Sequence, residues 1–260
     1  MGGGTPLERG REAFRGKAWR DAFTRLRASD TQRPLGLADL ESLAEAAYLC
    51  GCDAESETVW ARAHAESLAR QDWARAARCA FWLAITLNSR SERAKAGGWL
   101  ARAQRTLEDS GHDCAERGWL LIPVGLERFA EHDRAGALAM FVEAGAIGAQ
   151  HGDEELVTVA RQAQGRCLLR LGETNRGLAL LDEAMVAVAA GDVSPIPAGI
   201  VYCSVIEVCQ EILDVQRAQQ WTTALSDWCD AQPGIVPDDA WCTGSRSCSC
   251  TATGPTPSRR

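Results

Sequence analysis

Ala137-Leu138-Ala139-Met140-Phe141-Val142-Glu143-Ala144 carries the reading of this chain. A small residue stands first, a large apolar residue four places later, and a second small residue three places after that. In an α-helix the i, i+4, i+7 spacing puts Ala137, Phe141 and Ala144 on one face. Small residues let a neighbouring helix come close, and the large side chain fills the gap between the two. The arrangement recurs at Ala22-Leu26-Ser29, Ser56-Trp60-Ala63, Ala96-Leu100-Ala103 and Gly177-Leu181-Ala184, with a weaker copy at Ala218-Thr222-Leu225. The first positions 22, 56, 96, 137, 177 and 218 are separated by 34, 40, 41, 40 and 41 residues.

A second stripe precedes each copy after the first, at a constant offset. It reads Leu43-Ala44-Ala47, Leu83-Ala84-Leu87, Val124-Gly125-Arg128, Gln164-Gly165-Leu168 and Val205-Ile206-Cys209. The middle position is Ala or Gly in all but Ile206, which again allows close helix crossing. Arg128 and Gln164 interrupt the apolar pattern, so irregularity is expected in the fourth and fifth units. Gly51, Gly111, Gly152, Gly172 and Gly191 stand where helices should stop, as C-terminal caps prefer glycine. Pro34 cannot continue the first unit's helix, and Gly191-Asp192-Val193-Ser194-Pro195-Ile196-Pro197 reads as the loop before the sixth unit.

The paired stripes resemble the tetratricopeptide pattern of helical hairpins stacked side by side. The expected fold is all-α, a right-handed α-solenoid of about six helix-turn-helix repeats over residues 8–232. The bland reading of every stripe residue is core packing. On that reading the repeat-packing positions are Ala22, Leu26, Ser29, Ser56, Trp60, Ala63, Ala96, Leu100, Ala103, Ala137, Phe141, Ala144, Gly177, Leu181, Ala184 and Ala218.

Composition narrows the function. The net charge is −7, which argues against holding DNA directly, because phosphate binding needs clustered positive charge. The start of the chain is Gly-rich and then charged, without an apolar leader core, and no apolar run is long enough to span a membrane. The expectation is a cytoplasmic protein without a membrane contact. Eleven cysteines, an odd and scattered set, read as reduced thiols. Cys79, Cys167, Cys203 and Cys209 sit among apolar neighbours. Cys50/Cys52 and Cys248/Cys250 are C-x-C pairs that lack zinc-ligand spacing.

No catalytic motif is legible. Phosphate loops, a nucleophile elbow and H-E-x-x-H are all missing, so neither catalytic residues nor a cofactor or metal is assigned. His64, His112, His132 and His151 read as solvated or capping residues near helix ends. Asp153-Glu154-Glu155 follow Gly152, where carboxylates complement a helix dipole. Trp60 and Trp99 read as packing; Trp19, Trp73, Trp119 and Trp228 are candidates to line a groove for a peptide or apolar ligand.

Residues 238–260 depart from the repeat and lack helical period. They read as a disordered C-terminal tail, or as a shifted reading frame. Moved by one base on GC-rich codons, Ser247 to Gly254 becomes Val-Leu-Gln-Leu-His-Gly-Asp-Trp, an amphipathic run. The sixth unit would then lack its successor and leave an apolar face open.

Further segments are Arg75 to Leu83, Gly97 to Ala103, Leu181 to Val188, Ser194-Pro195, and Gly199 to Glu207 with Cys209-Gln210-Glu211. They resemble the tetratricopeptide region of actinobacterial LuxR-type transcriptional regulators. The resemblance runs up to about Pro237. It implies a sensing or coupling region that takes a protein or peptide partner or a small signal molecule, with DNA read by a helix-turn-helix domain that this chain does not contain. The competing readings are a free-standing repeat scaffold for protein–protein interaction, and an enzyme using Cys50 or Cys52.

Overall fold

The computed structural model describes residues 5–236 and holds twelve helices among them. In chain order they are α1 (Pro6–Arg15), α2 (Trp19–Gln32), α3 (Leu37–Leu49), α4 (Asp53–Ala69), α5 (Trp73–Ser89), α6 (Arg93–Ser110), α7 (Glu116–Ala130), α8 (Arg134–His151), α9 (Glu154–Arg170), α10 (Thr174–Ala190), α11 (Pro195–Glu211) and α12 (Val215–Asp230). Each helix packs on the next, so consecutive pairs form six hairpins in an all-α, tetratricopeptide-like solenoid. The predicted tail, 238–260, lies outside the described residues.

The turns explain the regular stacking. Most hairpins close through a residue in the left-handed region followed at once by the next helix's N-cap. Gly51, Gly111, Gly152, Gly172 and Gly191 all have positive φ. Lys17, Gln71, Ser91, His132 and Leu213 occupy the corresponding place in the other turns, although a side chain there costs roughly 1–2 kcal/mol. Asp72, Asp133, Asp153 and Asp214 then cap α5, α8, α9 and α12, each carboxylate accepting a backbone N–H of the first turn, which satisfies donors that would otherwise be orphaned.

The stripes meet as small-against-large contacts. Ala22, Leu26, Trp60, Ala63, Ala96, Ala103, Ala137, Phe141, Ala144, Leu181, Ala184 and Ala218 are buried. Gly177 is buried too, and the hydroxyls of Ser29 and Ser56 are buried with partners. Ser56 donates to the Ala44 carbonyl at 2.9 Å, tying the two stripes of one hairpin together. Leu100 is half-buried and Thr222 is exposed. At Gly125 an added Cβ would overlap the Phe141 ring. At Gly177 it would come within 2.8 Å of the Gly165 carbonyl oxygen, so α9 and α10 touch backbone to backbone.

Arg128 and Gln164 do not disturb their helices. Gln164 donates to the Phe141 carbonyl at 3.0 Å and Arg128 reaches Asp133, the cap of α8. Both helices therefore run on through these positions, and the irregular residue of unit four is instead Pro123, inside α7. His64 corrects a second expectation. It is buried, not solvated, its Nδ1 lies 2.8 Å from the Ala76 carbonyl, and its ring meets Trp99 edge-on at 5.2 Å. Burial lowers its pKa.

The odd-numbered helices lie inside. α1 touches α3, α5 touches α7, α7 touches α9, and α9 touches α11. α11 is apolar over most of its length, and α3 and α11 are both buried on most faces, as an interior helix must be. They touch each other, so the row curls until its ends meet. Trp19 of α2 is buried and its Nε1 donates to Gln232 Oε1 at 3.2 Å. The Val236 N–H donates to the Leu49 carbonyl at 2.8 Å. Val236 also packs on Gly51. Residues 232–236, which follow the last unit, are thus joined to the first two units, while Leu213 and Val215 of the last unit stay exposed. No helix among the described residues is long and apolar enough to cross a membrane.

Candidate functional site

A cavity of about 490 Å³ opens on the inner side, and its walls come from successive interior helices. α5 supplies Ala77, Arg78, Phe81 and Trp82. Ala115 and the first residues of α7 supply Glu116 and Trp119. The end of α8 and start of α9 supply His151 to Glu155, and Asp192 comes from the loop before α11. The volume falls within the ~300–1,000 Å³ of small-ligand sites.

One wall is aromatic. The Phe81 ring lies 5.0 Å from Trp82 and 5.4 Å from Trp119, and the two indoles are 5.7 Å apart. Phe81 and Trp119 are buried while Trp82 is half-buried, so Trp82 offers the accessible indole surface. Trp119 is fixed by its Nε1, which donates to Asp153 Oδ2 at 2.9 Å. The other Asp153 oxygen caps α9 through Leu156 N–H at 2.9 Å. One carboxylate thus sets both a helix start and an indole orientation.

The remaining lining is mostly acidic. Glu116, Asp153, Glu154, Glu155 and Asp192 line the space against one guanidinium, Arg78. Arg78 forms an ion pair with the buried Glu116. Burial pushes the Glu116 pKa up, but Arg78 and local hydrogen bonds outweigh it and hold the carboxyl below its usual value. Glu155 Oε2 accepts the Ser194 N–H at 2.8 Å, at the start of α11. Burial pushes the Glu155 pKa up against that hydrogen bond.

The acidity continues across the interior to α3. Glu45 is crowded by protein while keeping some solvent contact. Burial, then Glu155, then Glu41 push its pKa up to about 8. Burial likewise raises Glu41, offset in part by Arg75 and Arg78. The raised Glu45 pKa has a definite sign in stability. In the unfolded chain the carboxyl ionises near 4.5; in the folded chain it keeps its proton until about pH 8. The folded state then binds more protons between those values, so stability is highest below the unfolded pKa and falls as pH rises. Because Glu45 retains some water contact, we expect on the order of 2 kcal/mol between pH 5.5 and 7.5. Glu45→Gln should flatten that part of the dependence. Urea unfolding of both proteins at the two pH values checks it, and parallel losses would contradict it.

The sequence placed only part of this site. Trp119, a groove candidate, lines the cavity, and so do Asp153 to Glu155, which the sequence offered only as carboxylates at a helix start. Trp19 instead joins the two ends of the chain, Trp228 lies 5.9 Å from Tyr202, and Trp73 starts α5 outside the cavity wall. Phe81, Trp82, Arg78, Glu116 and Asp192 were not singled out. A signal existed: Glu41, Arg78, Glu116, Glu155 and Ser194 recur at steps of 37, 38, 39 and 39 residues. Arg78 pairs with Glu116 and Glu155 with the Ser194 N–H, so neighbours in this series meet across successive inner helices. Cys79, Cys167, Cys203 and Cys209 are buried. Cys50 Sγ lies 3.6 Å from Cys52 Sγ, and burial first, then Cys52, push the Cys50 thiol up to about 12. Such a thiol is a poor nucleophile at neutral pH.

No family model matches the chain, and no curated protein matches it. Solved structures do. A Rap protein complexed with competence and sporulation factor shares 14% identity at a TM-score of 0.59, over 85% of this chain and 73% of its own. The Rap conjugation gene regulator of plasmid pLS20, in complex with the Phr* peptide, shares 15% identity at a TM-score of 0.64, over 85% of this chain. This chain spans 62% of the pLS20 regulator's length. At such identities the likeness is one of fold: this chain is a helical-repeat solenoid similar to the Rap proteins.

Proposed function

We propose that this chain is a non-catalytic receptor for a peptide or a protein segment, held inside the curled solenoid, and that it serves as the sensing part of a LuxR-type transcriptional regulator. The aromatic-walled cavity on the inner side carries the reading. Its walls belong to separate repeats, so an occupant bridges α5, α7 and α9 and can bias how those repeats pack. The Rap structures support the peptide half of the reading, because both were solved with a signalling factor or peptide bound. The regulator half rests on the resemblance of segments such as Gly199 to Glu207. DNA control would then pass through a domain outside this chain, in keeping with the net charge of −7.

The test uses a pooled library of acetylated, amidated hexapeptides, read by tryptophan emission of the full chain. Saturable changes are expected for some pools, and Trp82→Ala should weaken the selected peptide about tenfold, in line with ~1–2 kcal/mol for a desolvated aromatic contact. Affinity untouched by Trp82→Ala would place the peptide elsewhere. The regulator reading is checked separately in the DNA downstream of the Pro237 codon in all three frames. A helix-turn-helix there supports it; an immediate stop in every frame favours the free-standing scaffold.

A further inference from the structure

We infer that the cavity selects a positively charged side chain, so that the peptide it receives is anchored by a lysine or arginine placed between the Trp82 face and the carboxylates of α9 and the α10–α11 loop. This inference rests on the peptide-receptor reading and adds the chemistry of the anchor.

The charge balance of the lining is the first ground. Five carboxylates face one guanidinium, and that guanidinium is already paired with Glu116. The N-terminus of α9 contributes about half a positive charge, which Asp153, Glu154 and Glu155 together exceed. Glu41 lies beyond them on α3, already paired with Arg75 at 3.2 Å, and Glu45, protonated at neutral pH, adds no opposing charge. Asp153 and Glu155 are held in place by Trp119, Leu156 and Ser194, so their oxygens do not have to be ordered when a cation arrives.

The aromatic wall is the second and independent ground. An indole face attracts a cation most strongly where water is scarce, and Trp82 is propped against Phe81 and Trp119 at 5.0 and 5.7 Å. An anionic occupant would meet uncompensated carboxylates, and a neutral apolar occupant would leave them desolvated without a partner. A cationic side chain with an apolar stem satisfies both walls at once. The cavity is too small for a folded domain, which leaves an extended segment as the carrier.

The experiment takes the best hexapeptide from the library and replaces its basic residue by norleucine, keeping both termini blocked. Kd is measured by tryptophan emission on the full chain. The norleucine peptide should bind at least tenfold more weakly, and raising the salt from 50 to 500 mM should weaken the parent but not the norleucine form. The double variant Glu154→Gln/Asp192→Asn, at exposed positions, should weaken the parent several-fold and leave the norleucine peptide unchanged. Spermidine and lysine amide serve as free-cation probes; binding as tight as the peptide would reassign the site to a small cation and overturn the inference. Peptides that bind equally well without a basic residue overturn the inference while the receptor reading stands. No saturable binding by any pool overturns the receptor reading and the anchor with it.

Discussion

Phe141→Ala is expected to destabilise the protein by about 3–5 kcal/mol, the usual cost of deleting a fully buried phenylalanine. Its ring is 1% exposed and lies over the bare backbone at Gly125, so no side chain on α7 can move in to fill the space. The two helices would have to tilt together, and α8 also carries the stripe that packs on α9. In a row of units stabilised by nearest neighbours, a loss at one interface weakens both sides. Urea titration by circular dichroism should show a large fall in midpoint. A cost below about 1 kcal/mol would mean that the stripe is not the joint between the helices.

Gly177→Val should be comparably severe, at about 3 kcal/mol or more, because the clash is with rigid atoms. An added Cβ would stand 2.8 Å from the Gly165 carbonyl oxygen and 2.8 Å from Leu169 Cγ. The informative comparison is Gly98→Ala on α6, where a Cβ meets nothing within 4 Å. Alanine is the better helix former by roughly 0.5–1 kcal/mol, so that change should stabilise. Two glycine substitutions in helices of one protein should therefore move the urea midpoint in opposite directions. Equal effects would contradict the backbone contact between α9 and α10.

The repeat was legible because packing imposes the same demand on every hairpin. Ala137-Phe141-Ala144 and its relatives carry that demand in the sequence, and Gly51, Gly111, Gly152, Gly172 and Gly191, all at positive φ, mark some of the places where the chain reverses. Closure was not legible. Trp19 and Gln232 are 213 residues apart and follow no period. The apolar run of α11 from Pro195 to Ile206 did contain a hint, since a helix greasy all round must be enclosed. His64 was misplaced because its neighbours read as a polar helix end, whereas the turn lies six residues further on and the ring enters the core beside Trp99. The cavity was hardest to see. Its residues are those in which the inner helices differ from one another, so a search for likeness passes over Arg78, Trp82 and Glu116. The step of 38 residues from Arg78 to Glu116 gains its meaning only from the ion pair that joins the two helices.

The interior surface, and not the outer helices, is where this account places the ligand. Photo-crosslinking tests that most directly, with the library-selected basic hexapeptide carrying a benzophenone next to its lysine or arginine and the adducts mapped by mass spectrometry. The account predicts adducts on Phe81, Trp82 or Trp119 and on the segment His151 to Glu155, competed away by unlabelled peptide. Specific adducts confined to α6, to α10, or to α8 before His151 would contradict it.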